Sequence, residues 1–252
     1  KPGDGEVTRF YSEARTGNID GAERDFAAIM AQGLPAAYNT LQPLVEDEED
    51  VHRVVLAWRA WDSLQLTGPE HAHTLLRQSV RYCADVECKR KERTWPISAI
   101  REQLPKLLDR YRLLEKPVGS RVPDDAWIES FSRIIYGGTR AQAAEAAAAA
   151  LAEGIAPEAI GEAISLAATT LVLFDSGRDE RNSNADKPVG SVHGDSVGVH
   201  ASDAAAAWRS IAAVCNPRNA VASLSVAASH TAGQGSRLPA EAFGKGADTT
   251  DL

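Results

Sequence analysis

Long apolar runs and paired cysteines are both lacking in this chain of 252 residues. No apolar stretch approaches the roughly 18 residues of a membrane-spanning helix, so we predict no membrane partner. The three cysteines, Cys83, Cys88 and Cys215, are too few and too irregularly spaced for a disulfide framework or for CxxC zinc binding. This cysteine usage favours a reducing compartment, and we predict a cytoplasmic protein.

Positive charge is also scarce. The chain has 27 Lys and Arg against 35 Asp and Glu, a formal net charge of -8 at pH 7. Because binding to nucleic-acid phosphates needs a basic face, we predict no nucleic-acid partner. The most basic run, residues 89–93, contains a glutamate, and we interpret it as a solvated linker. We interpret the acidic run at residues 46–50 as a capping and solvated segment in front of a helix.

No HExxH, EF-hand, P-loop or GxSxG motif occurs, so motif spacing alone names no chemistry. What the chain does contain is a hydrophobic pattern of helical period, with almost no alternation of period 2. Ala-rich segments such as residues 141–152 strongly favour helix. The sequence therefore predicts an all-α fold, with helices near residues 5–17, 20–32, 35–46, 50–66, 69–84, 97–115, 124–136, 139–153, 157–174, 199–214 and 217–232.

The chain also matches itself. A shift of 121 positions places Phe10 on Phe131 and Gly33 on Gly154, and a shift of 148 positions places the segment around residue 52 on that around residue 200. The matches predict a duplicated helical repeat, with two five-helix copies related by a pseudo-twofold axis and packed as one compact array. The predicted boundaries are 1–90 for the first repeat, 91–123 for a connector with one helix, 124–232 for the second repeat and 233–252 for a flexible tail.

The second copy carries a polar insertion at residues 175–198, which is long for a connection between two helices. Loops beyond about 12–15 residues in compact domains are usually functional or disordered. We interpret the first half of the insertion, to Asp186, as disordered or solvated. Val189 and Val192 give the second half apolar anchors, so we predict an ordered loop that delivers His193 into a cleft.

Two further histidines begin equivalent helices in the two copies. His200 opens a helix whose stripe continues through Trp208 and Ile211, so we expect its imidazole to point into the core. Asp203, one turn further on, is predicted to accept the ring N–H of His200 and to fix its tautomer. His52 heads the equivalent helix of the first copy and is predicted to face His200 across the interface of the halves.

A metal site is one of two interpretations of these histidines. His230 lies near the end of the last helix, on a partly polar stripe. A single inward histidine is more often a hydrogen-bonded core residue than a ligand, and that interpretation stays open. A purely structural role does not readily explain four histidines in one apolar core, and the four that can converge are His52, His193, His200 and His230. Neutral imidazole binds Fe, Zn, Cu or Ni alike. The sequence therefore also predicts a multi-histidine metal site.

The stretch Gly-Ser-Val-His193-Gly-Asp-Ser-Val-Gly-Val-His200-Ala-Ser-Asp203, followed by a helix and then Ser-His230-Thr, resembles the questin-oxidase-like proteins. These are all-helical non-haem iron oxygenases that hold their metal with several histidines and cleave aromatic polyketide rings with dioxygen. The resemblance implies Fe(II) bound by His193, His200 and His230, with His52 contributed by the first copy.

The same resemblance implies a carboxylated lysine beside the histidines, and Lys187 is the only lysine near the loop. Asp195 or Asp203 would orient ligands or act as a base. The predicted function is a metal-dependent oxidoreductase, a non-haem iron oxygenase acting on an apolar or aromatic small-molecule substrate.

Two alternatives to the oxygenase stay open. One is a zinc-dependent hydrolase or lyase on the same site, and the other is a non-enzymatic helical-repeat module that binds a partner. Because the chain begins at Lys1 without a methionine, a partner chain or a preceding segment that completes the site is also left open.

Overall fold

All regular secondary structure in the described part of the chain is helical, as the sequence predicts. The computed structural model describes residues 4–191 and 196–235. Two short 3-10 turns, Pro69–His71 and Glu180–Asn182, accompany the α-helices. These are α1 (Asp4–Thr16), α2 (Ile19–Met30), α3 (Leu34–Val45), α4 (Val51–Asp62), the single turn α5 (Leu64–Thr67), α6 (Ala72–Arg93), α7 (Ile100–Arg110), α8 (Asp125–Gly137), α9 (Arg140–Ala152), α10 (Pro157–Phe174), α11 (Val197–Val214) and α12 (Pro217–Gly235).

Glycine and proline set the helix boundaries where the sequence places them. Gly33 and Gly154 follow α2 and α9 with φ of 111° and 84°, a backbone region that glycine enters without a steric penalty. Pro157 and Pro217 occupy the first positions of α10 and α12, where a missing N–H costs no helical hydrogen bond. Pro157 explains why the predicted start of α10 agrees with the observed one.

The long helices of the two halves pack in the same pairs. α1, α2 and α6 contact one another, and so do α8, α9 and α12. α3 and α4 pack on α6 as α10 and α11 pack on α12. α4 also packs against α11, which joins the halves through the two helices that the sequence matches to each other. The array is compact and all-helical; the duplication itself stays a prediction.

α12 is the central helix of the second half. It contacts α8, α9, α10 and α11, as well as α3 and α7 from the preceding part of the chain. Every residue from Asn219 to Gly235 is buried, including the apolar side chains of Val221 and Leu224. Because α12 continues to Gly235, the residues predicted to begin the tail are helical; residues 236–252 lie outside the described part.

The basic run at residues 89–93 is helical, so its interpretation as a linker is wrong, whereas four of its five residues are exposed and solvated as predicted. These residues form the last turns of α6, and Arg90 is 9% exposed. Lys and Arg are good helix formers, and their charge interacts favourably with the carboxyl end of the helix dipole. Thr94 then ends α6 in the left-handed conformation, with φ of 53°.

One helix among the described residues, α10, is long and apolar enough to cross a membrane by length and composition alone. The same helix packs against α8, α11 and α12. A core helix of a protein that enters no membrane meets the same criterion, so the match carries little weight.

The insertion between α10 and α11 is described up to Ser191 and from Ser196. Its backbone closes on itself, because the Arg178 N–H donates to the Ser191 carbonyl at 3.0 Å and the Gly190 N–H donates to the Arg178 carbonyl at 2.8 Å. Most residues from Asp179 to Gly190 are exposed, in agreement with the prediction that the first half is solvated.

Candidate functional site

His52 and His200 face each other where α4 crosses α11. Their ring centroids are 6.1 Å apart and the rings are nearly perpendicular, with an interplanar angle of 76°. His52 is exposed and His200 is half-buried, so the pair lies at the surface of the junction between the halves. The prediction that these two residues face each other agrees with this geometry, whereas His200 is less deeply buried than Trp208, which is fully buried.

A carboxylate and a phenol hold His52 in place. Asp50 caps α4, with Oδ1 accepting the backbone N–H of His52 at 2.8 Å. Its other oxygen, Oδ2, accepts the hydroxyl of Tyr82 at 2.9 Å, and the Tyr82 ring stands edge-on to His52 with centroids 6.2 Å apart. Burial and the Asp50 carboxylate raise the pKa of Tyr82, so its hydroxyl stays protonated and remains a donor to Asp50.

His230 lies in the core. It is 1% exposed, and its Nδ1 accepts a hydrogen bond from Nε1 of Trp208 at 3.3 Å. Trp208 follows His200 by eight residues on α11, which corresponds to about 12 Å along the helix axis. This is the environment of a hydrogen-bonded core histidine, and the role of His230 as a metal ligand stays a prediction.

The remaining predicted site residues are spread over the surface or fall outside the described residues. Asp203 is exposed on α11. Lys187 is exposed in the insertion, where its backbone N–H donates to the Asn184 side chain at 2.9 Å. His193 and Asp195 lie outside the described residues.

His52 and His200 are the two predicted metal ligands that the structure brings close together. Within residues 4–191 and 196–235, no group of three or more His, Cys, Asp and Glu side chains is arranged to hold a metal ion. An ion that binds an imidazole nitrogen at about 2.1 Å lies a little over 3 Å from the ring centre, so a separation of 6.1 Å between centroids is near the upper limit for two rings that bind one ion. A metal site at this pair therefore needs donors beyond the two histidines.

The acidic run at residues 46–50 is the feature that the sequence interpretation missed. Asp50 caps α4 as predicted. Glu46 and Asp47 are only 1% and 5% exposed, so the prediction that these two residues are solvated is wrong. Each acid from 46 to 49 pairs with arginine. The pairs are Glu46 with Arg218 of α12, Asp47 with Arg15 of α1 and Arg101 of α7, Glu48 with Arg90 of α6, and Glu49 with Arg140 of α9.

Glu87 of α6 is a second centre of the same network, accepting hydrogen bonds from Arg53 and Arg101. Burial alone would raise the pKa of Glu87, but the hydrogen bonds from Arg101 and Arg53 outweigh it and lower the pKa to about 2. The run at residues 46–50, which we call the acidic turn, contains no glycine, proline or serine, the residues that usually mark an exposed loop. That missing loop signal could have revealed its burial.

Two open pockets lie away from the histidine pair. One, of about 530 Å³, is formed by the loop after α7, the end of α9 and Val221 of α12. The other, of about 570 Å³, lies between α1, α3 and the start of α12 and includes Arg218. Neither pocket is lined by a histidine.

No protein-family profile, curated protein sequence or solved structure matches this chain.

Proposed function

We propose that the protein is a metal-dependent oxidoreductase, a non-haem iron oxygenase of apolar or aromatic small molecules, with His52 and His200 as metal ligands. The observation that carries the proposal is the approach of two imidazoles, 6.1 Å apart, from helices that the sequence matches to each other. The histidine pattern shared with questin-oxidase-like proteins favours iron over zinc.

The two helices bring the imidazoles together through separate constraints. Asp50 fixes the first turn of α4, and with it the backbone of His52. At the start of α11, the Gly198 N–H donates to Oδ2 of Asp175 at 2.7 Å, which ties the turn that carries His200 to the end of α10. A fixed backbone at both positions lowers the entropy that the chain loses when an ion binds.

Asp50 and Tyr82 both contact His52. Asp50 accepts its backbone N–H, and the Tyr82 ring packs edge-on against its imidazole. The Tyr82 hydroxyl engages Oδ2 of Asp50, so the carboxylate is held against the start of α4 and is less free to move toward a cation. His52 and His200, with further donors, would hold Fe(II), which would supply the activation of dioxygen. The sequence assigns His193 as a third ligand, and its substitution is therefore part of the test.

The experiment is metal content by mass spectrometry on protein purified without an affinity metal or chelator. We expect close to one iron per chain in the parent protein and loss of iron in His52→Ala and His200→Ala. His71→Ala is the matched control, because His71 is exposed in the turn before α6, and it should keep its iron. His193→Ala and His230→Ala test the remaining predicted ligands in the same way.

Each outcome bears on a different function. Iron that persists in both His52→Ala and His200→Ala would overturn the proposed site. Stoichiometric zinc in place of iron would overturn the oxygenase and support the hydrolase or lyase alternative. Protein without metal, after reconstitution with Fe(II) and Zn(II) has also failed, would leave the helical binding module as the remaining interpretation.

A further inference from the structure

The pocket of about 530 Å³ beside α9 and α12 has an apolar floor. Leu113, Leu151 and Val221 form that floor and are 7%, 6% and 3% exposed. They come from the end of the α7 segment, from α9 and from α12, so three separate parts of the chain build the pocket. Its volume falls within the range of about 300–1,000 Å³ that is typical of small-molecule sites.

The rim of the same pocket is cationic. Lys116 and Arg121 both line it, and Glu153 is the acid beside them. Glu153 pairs with Arg121 at 3.4 Å, and both side chains are largely exposed, so this pair is weak. Lys116 forms no salt bridge with any of the described residues, which leaves one net positive charge at the mouth of an apolar pocket.

The net charge at the rim is opposite in sign to the net charge of the whole chain. The protein has a formal net charge of -8, so a general attraction for anions is not expected. An anion at this pocket would be drawn by the local pair of cations at short range, since charges beyond about 10 Å are screened at ordinary salt concentrations.

The pocket is separate from the histidine pair. Val221 lies in the second turn of α12, close to the carboxyl end of α11, whereas His200 lies in the first turn of α11. The helix between His200 and Val214 spans about 21 Å. The inference drawn from this pocket therefore does not rest on the proposed metal site.

We propose that this pocket binds a small amphipathic carboxylate, with its apolar chain on Leu113, Leu151 and Val221 and its carboxylate at Lys116. Contact with the apolar floor removes hydrocarbon of the ligand from water, which favours binding. The Lys116 ammonium supplies a charge-assisted hydrogen bond that a neutral or cationic ligand of the same shape cannot form. The pocket thus distinguishes ligands by charge as well as by apolar area.

The test is calorimetric titration of the protein with decanoate, below its aggregation concentration. We expect saturable binding of decanoate, at least tenfold weaker binding of decyltrimethylammonium, which has the same chain and the opposite charge, and no measurable binding of acetate. Lys116→Glu should weaken decanoate binding at least tenfold. Lys106→Glu, which makes the same charge change at a 72% exposed side chain of α7, should bind like the parent protein.

A second variant tests the floor. Ala152 lines the pocket at the end of α9, and Ala152→Phe should abolish decanoate binding by filling the space, while the melting temperature shows that the fold is kept. The proposal is overturned if decanoate gives no saturable heat, or if it binds equally to the parent, Lys116→Glu and Ala152→Phe proteins.

Discussion

Glu46 is the most unusual single residue of the chain, because it is a carboxylate that burial makes hard to ionise. It is 1% exposed, its Oε2 pairs with Arg218, and its Oε1 has no hydrogen-bond partner. Burial raises the pKa of Glu46 to about 7, and the nearby Arg218 offsets only part of that effect. At neutral pH, Glu46 is therefore close to half-protonated in the folded protein.

The raised pKa predicts a pH-dependent stability. Between the ordinary value of 4.5 and about 7, the folded state binds the proton more tightly than the unfolded state does. Relative to Glu46→Gln, the parent protein should therefore lose stability as pH rises from 5 to 8, by about 2–3 kcal/mol in total. Urea denaturation of both proteins at several pH values measures this difference.

The matched control for Glu46 is Glu102→Gln, because the side chain of Glu102 on α7 is 79% exposed. Its stability should follow that of the parent protein at every pH. Parallel curves for Glu46→Gln and the parent would show that Glu46 ionises normally in the folded state.

At the scale of the helix, the start of α11 depends on a close backbone contact with the end of α10. A Cβ added at Gly198 would lie 2.6 Å from Cα of Val172, closer than packed atoms allow. The contact fixes where α11 begins, and with it the position of His200. Glycine at position 198 lets the two backbones approach this closely.

We predict that Gly198→Ala destabilises the protein by about 2–4 kcal/mol, because the backbones of α10 and α11 must move apart to make room for the methyl group. Gly5→Ala is the control, since the space around Gly5 in α1 is open and alanine favours helix there. Thermal unfolding should show a lower midpoint for the first variant and an unchanged or higher midpoint for the second. Equal midpoints would mean that α11 moves away from Val172 at no cost.

At the scale of the whole molecule, the acidic turn joins the two halves. Glu46 and Glu49 lie between α3 and α4, and they pair with Arg218 and Arg140 of the second half. Glu49 also accepts a hydrogen bond from Ser229 of α12. A carboxylate buried in this way is costly when its cation is removed, so the pairs couple the stability of one half to that of the other.

We predict that Arg140→Met destabilises both halves together, by about 1–3 kcal/mol, since Arg140 itself is partly exposed and its pair is partly screened. Hydrogen exchange followed by mass spectrometry should show faster exchange in α4 as well as in α9. Arg133→Met, which breaks only an exposed pair with Glu129 within α8, should leave both helices unchanged. Faster exchange confined to α9 would show that the halves are energetically independent.

The helices were predictable because their signals are local. The observed bounds of α10 agree with the predicted ones, and those of α8, α9 and α11 differ by one or two residues. The end of α6 was missed because a run of basic residues is typical of both a solvated linker and the last turns of a helix. Local sequence cannot distinguish a linker from a helix end here, because the ion pair between Arg90 and Glu48 joins residues that are distant in sequence.

The candidate site was predictable only in part. The internal match led us to predict that His52 faces His200, and their ring centroids lie 6.1 Å apart. It did not reveal that Nδ1 of His230 is bonded to Trp208, or that Tyr82 completes the contacts of Asp50. Those contacts join residues more than 20 positions apart, and no spacing rule encodes them.

The sequence by itself determined the helical class, most helix boundaries and the pairing of His52 with His200, since these depend on hydrophobic period, on glycine and proline, and on the internal match. Only the tertiary structure decided that the acidic turn is buried and neutralised by arginines from five helices. The same amino acids would be solvated on a surface. Their environment depends on which distant helices pack against them, because charge is stabilised by neighbours in space and not by neighbours in sequence.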